Sequence, residues 1–166
     1  TSGRYADRSP VASPNGRQIV FARPPGPPFQ TGIPDIYSIR ANGSHLVDLT
    51  PRIPARHRRT ERIIAAGEPT FSPTGRVIAF AVRGGNGSEG IDTMRPDGSK
   101  IKSLVGRGPR ALNRRFGLSE PEFSPTGRTL LVTARDSYHR EIALINLSDR
   151  SRLFTPHSVQ GESPAW

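Results

Sequence analysis

Three copies of one short phrase constrain this chain more than anything else in it: Ser13-Pro14-Asn15-Gly16-Arg17, Ser72-Pro73-Thr74-Gly75-Arg76 and Ser124-Pro125-Thr126-Gly127-Arg128. Proline presets the φ that the second position of a β-turn needs, and glycine two residues later accepts the positive φ with which such turns close. Each turn is followed by an apolar run, spanning residues 18–22, 77–82 and 129–134, that is β-branched or aromatic enough for a strand. A strand leaving the same turn three times is the mark of a repeat protein.

The repeat is longer than its turn. Pro10, Pro69, Pro121 and Pro164 open successive units at intervals of 59, 52 and 43 residues, and Phe71, Phe123 and Trp166 stand two residues after the last three. A third strand is predicted at 35–39, 91–94 and 141–145, and a fourth at 45–50, 100–105 and 151–155. Between them lie Asn42-Gly43, Asp97-Gly98 and Ser148-Asp149, the first two suited to two-residue hairpins. A unit of roughly 40 residues plus insertions fits one four-stranded propeller blade. The run after each Ser-Pro turn is apolar at consecutive positions, so both its faces are expected to be covered; the outermost strand, of mixed polarity, is expected to be half wet. Phe71, Phe123 and Trp166 are then core between blades.

Composition agrees. Seventeen prolines and seventeen glycines in 166 residues disfavour long helices and favour an all-β chain. The absence of cysteine excludes disulfides and thiolate metal sites. No run of about eighteen apolar residues is present, so no membrane-spanning helix is predicted.

Together these features resemble the WD-like repeat of the TolB-like β-propellers: Pro-x-aromatic-Ser-Pro-x-Gly-Arg, an apolar strand, Asp35-Ile36-Tyr37-Ser38-Ile39, then Asn-Gly-Ser or Asp-Gly-Ser. This chain has Asn15, Thr74 and Thr126 where the family usually has aspartate, and Ala12 in place of an aromatic. The resemblance implies an incomplete β-propeller of about three four-stranded antiparallel blades, at residues 9–67, 68–119 and 120–161, with the start of a fourth at 162–166. Three blades do not close a ring, so either further blades lie outside this chain, as the start of a fourth favours, or copies assemble into one. Exposed blade edges predict self-association of the isolated piece.

In such a blade the Ser-Pro turns and the Asn-Gly hairpins share one rim, and the variable insertions share the other. Two of those insertions, 51–67 and 106–119, are strongly basic. They carry Arg52, Arg56, Arg58, Arg59 and Arg62, and Arg107, Arg110, Arg114 and Arg115, against the single acid Glu61 within 51–62 and 106–116. With a net charge of +10, this rim is the candidate partner-binding site, open to an anionic ligand. Phe116 is the one aromatic of those loops, which disfavours single-stranded nucleic acid.

Catalytic patterns are lacking. Gly85-Asn86-Gly87-Ser88-Glu89-Gly90 spells a dinucleotide fingerprint but leads into a strand instead of a helix. No nucleophile elbow, phosphate loop or metal-spaced histidine pair occurs. Asp35 and Asp92, and Glu68, Glu120 and Glu162, recur with the repeat; hydrogen bonding of turns or neighbouring blades accounts for them better than acid catalysis. No catalytic, cofactor or metal residue is assigned. The resemblance implies a periplasmic or secreted scaffold that binds other proteins of the bacterial envelope. Two alternatives stand beside it: the propeller of a prolyl-oligopeptidase-type serine peptidase whose hydrolase domain lies outside this chain, and polyanion binding through the arginine-rich rim.

Overall fold

A computed structural model describes residues 5–24, 34–50, 63–84, 89–105, 117–135, 140–148 and 152–154. Within them the chain forms twelve strands and no helix. The first sheet contains β1 (Arg8–Ala12), β2 (Gln18–Arg23), β3 (Asp35–Arg40) and β4 (Val47–Asp48). The second contains β5 (Ile63–Phe71), β6 (Ile78–Gly84), β7 (Glu89–Met94) and β8 (Lys102–Val105). The third contains β9 (Gly117–Phe123), β10 (Thr129–Arg135), β11 (Arg140–Asn146) and β12 (Arg152–Phe154). Every sheet is an antiparallel meander with its strands side by side in chain order, as expected of propeller blades.

The Ser-Pro turns are three copies of one geometry. Gly16, Gly75 and Gly127 donate their N–H to the carbonyls of Ser13, Ser72 and Ser124 at 2.8 Å, and all three glycines have φ between 67° and 69°. The serine hydroxyl then accepts the N–H of Gln18, Val77 or Thr129 at 3.0–3.2 Å, so each turn is locked from its own side chain. The second turns differ from the two-residue hairpin predicted. Gly43 donates to Arg40 O and Arg40 N to Ser44 O, which makes a three-residue loop in which Gly43 alone has positive φ. The Asn42 carboxamide oxygen accepts the N–H of Ser44 at 3.1 Å, which holds the asparagine before the glycine instead of in the left-handed region. Gly98 repeats the arrangement with Arg95, Ser99 and Asp97.

Strand β4 is also shorter than the predicted 45–50. His45 has φ 59°, and the Thr50 hydroxyl replaces a ladder carbonyl as acceptor for Ile36 N–H at 2.9 Å.

Each sheet packs on the next. β5 lies against β1, β2 and β3, and β9 lies against β5, β6 and β7, while the first and third sheets share no contact among the described residues. The middle sheet is therefore covered on both faces, and β6 shows how. Ile78, Phe80 and Val82 point to one core with Val20, Ala22 and Ile36 of the first sheet. Ala79 joins the other core, with Leu130, Val132 and Ala134 of the third sheet, and Val77 and Ala81 pack against it. Side chains alternate across a strand, so a consecutive apolar run serves two interfaces at once. Phe71 and Phe123 are buried in the first and second of these cores, as predicted; Trp166 lies outside the described residues. Phe80 is 0% exposed; complete burial of such a ring contributes on the order of 2–3 kcal/mol.

The first strand of every sheet carries a bulge. Register shifts occur in the β1–β2, β5–β6 and β9–β10 pairings, and Ser9, Glu68 and Glu120 there take φ of 51–52°. Each immediately precedes a proline, which has no N–H for the ladder, so the pairing is interrupted where the chain cannot use it.

Candidate interaction site

The meander order puts the β1–β2 and β3–β4 turns, with their copies in the other sheets, on one rim. The β2–β3 connections and the links between sheets leave from the opposite rim, as the repeat predicts. The candidate binding residues Arg56, Arg58, Arg59, Arg62, Arg107, Arg110, Arg114 and Arg115 lie outside the described residues. So do Arg52 and the Gly85–Ser88 stretch. The described residues that flank the two basic segments, Thr50 and Ile63, then Val105 and Gly117, share the insertion rim.

On that rim the first sheet presents a cluster that the sequence reading missed. At the end of β2, Arg23 reaches Asp7 through both ends of its guanidinium, Nε to Oδ1 at 2.7 Å and Nη2 to Oδ2 at 2.8 Å. Its carbon centre sits 4.7 Å from the Tyr5 ring, 5.0 Å from Phe21 and 5.3 Å from Tyr37. Phe21 and Tyr37 stack at 6.2 Å. Arg23 is 7% exposed, and the hydrogen bond to Asp7 outweighs burial in raising its pKa further.

Counting from the turn glycines, Phe21 corresponds to Phe80 and Val132, and Arg23 to Val82 and Ala134. The latter four bury against a preceding sheet. In the first sheet a paired arginine and a tyrosine cover that face. The register pairing Phe21↔Tyr37 and Arg23↔Asp35 could have been read from repeat alignment, but the Asp7 partner lies before the first recognisable unit.

Beside it, Asp35 and Asp48 approach each other around Thr50. Thr50 donates its hydroxyl to Asp35 at 3.4 Å, and Asp48 accepts the Thr50 N–H at 2.9 Å. Burial, and secondarily the Asp48 charge, push the Asp35 carboxyl up to about 6, with the Thr50 hydrogen bond opposing. Burial also raises Asp48 and Tyr37. Thr50 thus joins both carboxylates, and these hydrogen bonds close the sheet edge. Among the described residues no three metal-binding side chains come together.

Glu68 and Glu120 do what the repeat suggests, and Glu162 lies outside the described residues. Glu68 Oε2 accepts the Glu120 N–H at 2.6 Å across the second and third sheets, and Glu120 Oε2 accepts the Thr133 hydroxyl at 2.7 Å. Asp92, the cross-strand partner of Phe80 and on the same sheet face, is 1% exposed.

On the turn rim, a cleft of about 390 Å³ opens between the first and second Ser-Pro turns. Ser13, Asn15, Arg17, Gln18, Phe71 and Pro96 are among its walls. The Gln18 carboxamide donates to Pro96 O at 3.2 Å across the sheet boundary.

No protein-family model matches the sequence. No curated protein matches it either. Solved structures do match in fold. A protein assigned as TolB from Agrobacterium tumefaciens superposes with a TM-score of 0.66 at 20% identity, over 90% of this chain and 48% of that one. TolB from Acinetobacter baumannii gives 0.69 at 18% identity, over 97% of this chain and 35% of that one. The β-propeller domain of the Trilobed protease from Pyrococcus furiosus gives 0.59 at 11% identity, over 94% and 44%. The chain thus spans half or less of the length of these structures. At such identities the likeness speaks for the fold, and with three meander sheets stacked through alternate strand faces it leads to one conclusion: this is a TolB-like β-propeller fold, represented by three blades.

Proposed function

We propose that the protein is a non-catalytic propeller scaffold that binds other proteins through the rim carrying its insertions. The observation behind this reading is the division of labour between the rims: one carries the Ser-Pro turn in three hydrogen-bonded copies with short hairpins beside it, and the length differences between blades fall on the other. Variable segments on a rigid frame are where recognition is carried. Arg56, Arg58, Arg59, Arg62, Arg107, Arg110, Arg114 and Arg115 supply the charge for an acidic face on the partner. The resemblance to TolB-like propellers favours a partner in the bacterial envelope and a periplasmic or secreted location. No cofactor is required. Among the described residues no helix is long and apolar enough to cross a membrane.

The test is cross-linking of the full-length protein in its own cells, followed by reconstitution with the purified partner. Arg58→Gln, Arg59→Gln, Arg114→Gln and Arg115→Gln together should weaken the complex at least about tenfold, a loss of about 1.4 kcal/mol. A complex indifferent to them overturns the assignment of the rim, and the absence of any protein partner overturns the scaffold.

A second reading is supported by the likeness to peptidase propellers, among them one in a study of two prolyl endopeptidases: this chain would then be the propeller of a serine peptidase. Labelling of the full-length protein by a fluorophosphonate would favour that reading over the scaffold. A third, polyanion binding, predicts heparin retention that collapses with added salt.

A further inference from the structure

We infer that the rim of Ser-Pro turns is itself a docking surface, for an extended, acidic segment of a protein. This rests on the scaffold reading and adds a second face to it. Among the described residues, the turns and their flanks, residues 13–18, 40–45, 72–77, 95–100, 124–129 and 146–148, hold Arg17, Arg40, Arg76, Arg95, Lys100 and Arg128 against one acid, Asp97; the sequence of the third hairpin continues with Asp149 and Arg150, one charge of each sign. All six cations are exposed. The ion pairs among the described residues, Arg23–Asp7 and Arg83–Glu89, use none of them. Asp97 is engaged by Ser99, whose hydrogen bonds hold its carboxyl below the usual range, so it stays charged but already solvated by its own turn.

These charges are held in register. Arg17, Arg76 and Arg128 each follow the glycine of an identical turn, and the turns rest on one another. A Cβ at Gly75 would lie 3.5 Å from Pro14 Cδ, and one at Gly127 would lie 3.4 Å from Pro73 Cδ. Packed sheets stand about 10 Å apart, so the three guanidinium groups leave the rim at intervals on the order of 10 Å. An extended peptide rises about 3.3 Å per residue, so carboxylates at every third position match that interval. The cleft beside Arg17 adds what a peptide needs besides charge: the apolar surface of Pro14 and Pro96, with the polar groups of Ser13, Asn15 and Gln18 around it. A nucleic acid would find phosphate contacts here but no exposed aromatic ring except the His45 imidazole for its bases.

The test is fluorescence anisotropy with the full-length protein at about 150 mM salt, an ionic strength that screens unstructured attraction beyond roughly 8 Å. The probes are a labelled peptide of about twelve residues with glutamate at every third position, a scrambled peptide of the same composition, and a single-stranded oligonucleotide of equal charge. Wild type should prefer the spaced peptide, and the combined Arg17→Gln, Arg76→Gln, Arg128→Gln variant should bind it at least about tenfold more weakly with an unchanged circular dichroism spectrum. The insertion-rim quadruple variant described above should bind it as wild type does. No binding, equal binding of the scrambled peptide, tighter binding of the oligonucleotide, or indifference to the turn variant overturns the inference. Loss in the insertion-rim variant alone overturns it too, yet leaves the scaffold reading standing.

Discussion

The carboxylate of Glu68 accepts the backbone N–H of Glu120 at 2.6 Å, joining two sheets at the same bulge of their first strands. Fifty-two residues separate the pair, one repeat unit. A single side chain thus ties the left-handed residue of one blade to the left-handed residue of the next. Glu68→Ala removes the acceptor and leaves a partly buried N–H unsatisfied, for an expected loss of about 1–2 kcal/mol in urea denaturation. Glu68→Gln keeps an acceptor and should lose less than half of that. Equal losses would mean that the charge, not the hydrogen bond, holds the sheets together.

Gly75 and Gly127 have φ of 69° and 68° beneath a neighbouring proline. Alanine at either position should cost about 1–2 kcal/mol, because an L side chain is strained there. Gly67 is the control: its Cβ would meet nothing within 4 Å and its φ is ordinary. Gly67→Ala should be neutral or should stabilise by up to about 1 kcal/mol, by restricting the unfolded chain. Thermal melting of the three variants side by side checks the contrast.

Arg23 binds Asp7 with two hydrogen bonds and lies over three aromatic rings. Lysine keeps the charge but loses the planar fork and its stacking. Arg23→Lys should therefore destabilise by about 1–2 kcal/mol in chemical denaturation, and Asp7→Asn by a similar amount. An Arg23→Lys protein as stable as wild type would show that charge alone suffices at this face.

Burial raises Asp35 to about 6, well above its value in an unfolded chain. The folded protein then binds more protons than the unfolded one between about pH 4 and 6, so stability falls as pH rises through that window. The difference would approach 3 kcal/mol for a fully enclosed group; solvent screening at this half-open edge brings it to about 1 kcal/mol. Denaturation midpoints measured from pH 4 to 7 should show the decline, and Asp35→Asn should flatten it while stabilising the protein above pH 6.

The three blades were legible because their signals are local: a proline and a glycine at fixed offsets define a turn, and a run of apolar residues defines a strand covered on both sides. Phe71 and Phe123 could be placed in the core by their recurrence alone. What escaped the sequence depends on partners that no offset encodes. Asn42-Gly43 reads as a two-residue hairpin until the Asn42 side chain is seen to hold Ser44. Thr50 reads as strand until its hydroxyl is found standing in for a carbonyl. Arg23 looks like the start of a loop, and only its distances to Asp7 and Tyr5 make it the cover of a sheet. The basic cations of the turn rim are spaced too widely in sequence to be seen as one surface before the turns are stacked.

The two-sided division of β6 has an evolutionary consequence. With Phe80 turned to one neighbour and Ala79 and Ala81 to the other, insertion of one residue between Arg76 and Ile78 would exchange large for small on both sides together. No compensating change at a single position repairs that. Growth and shrinkage of such a chain are therefore channelled into its connections, which is where the spacing between its units, 59, 52 and 43 residues, has drifted.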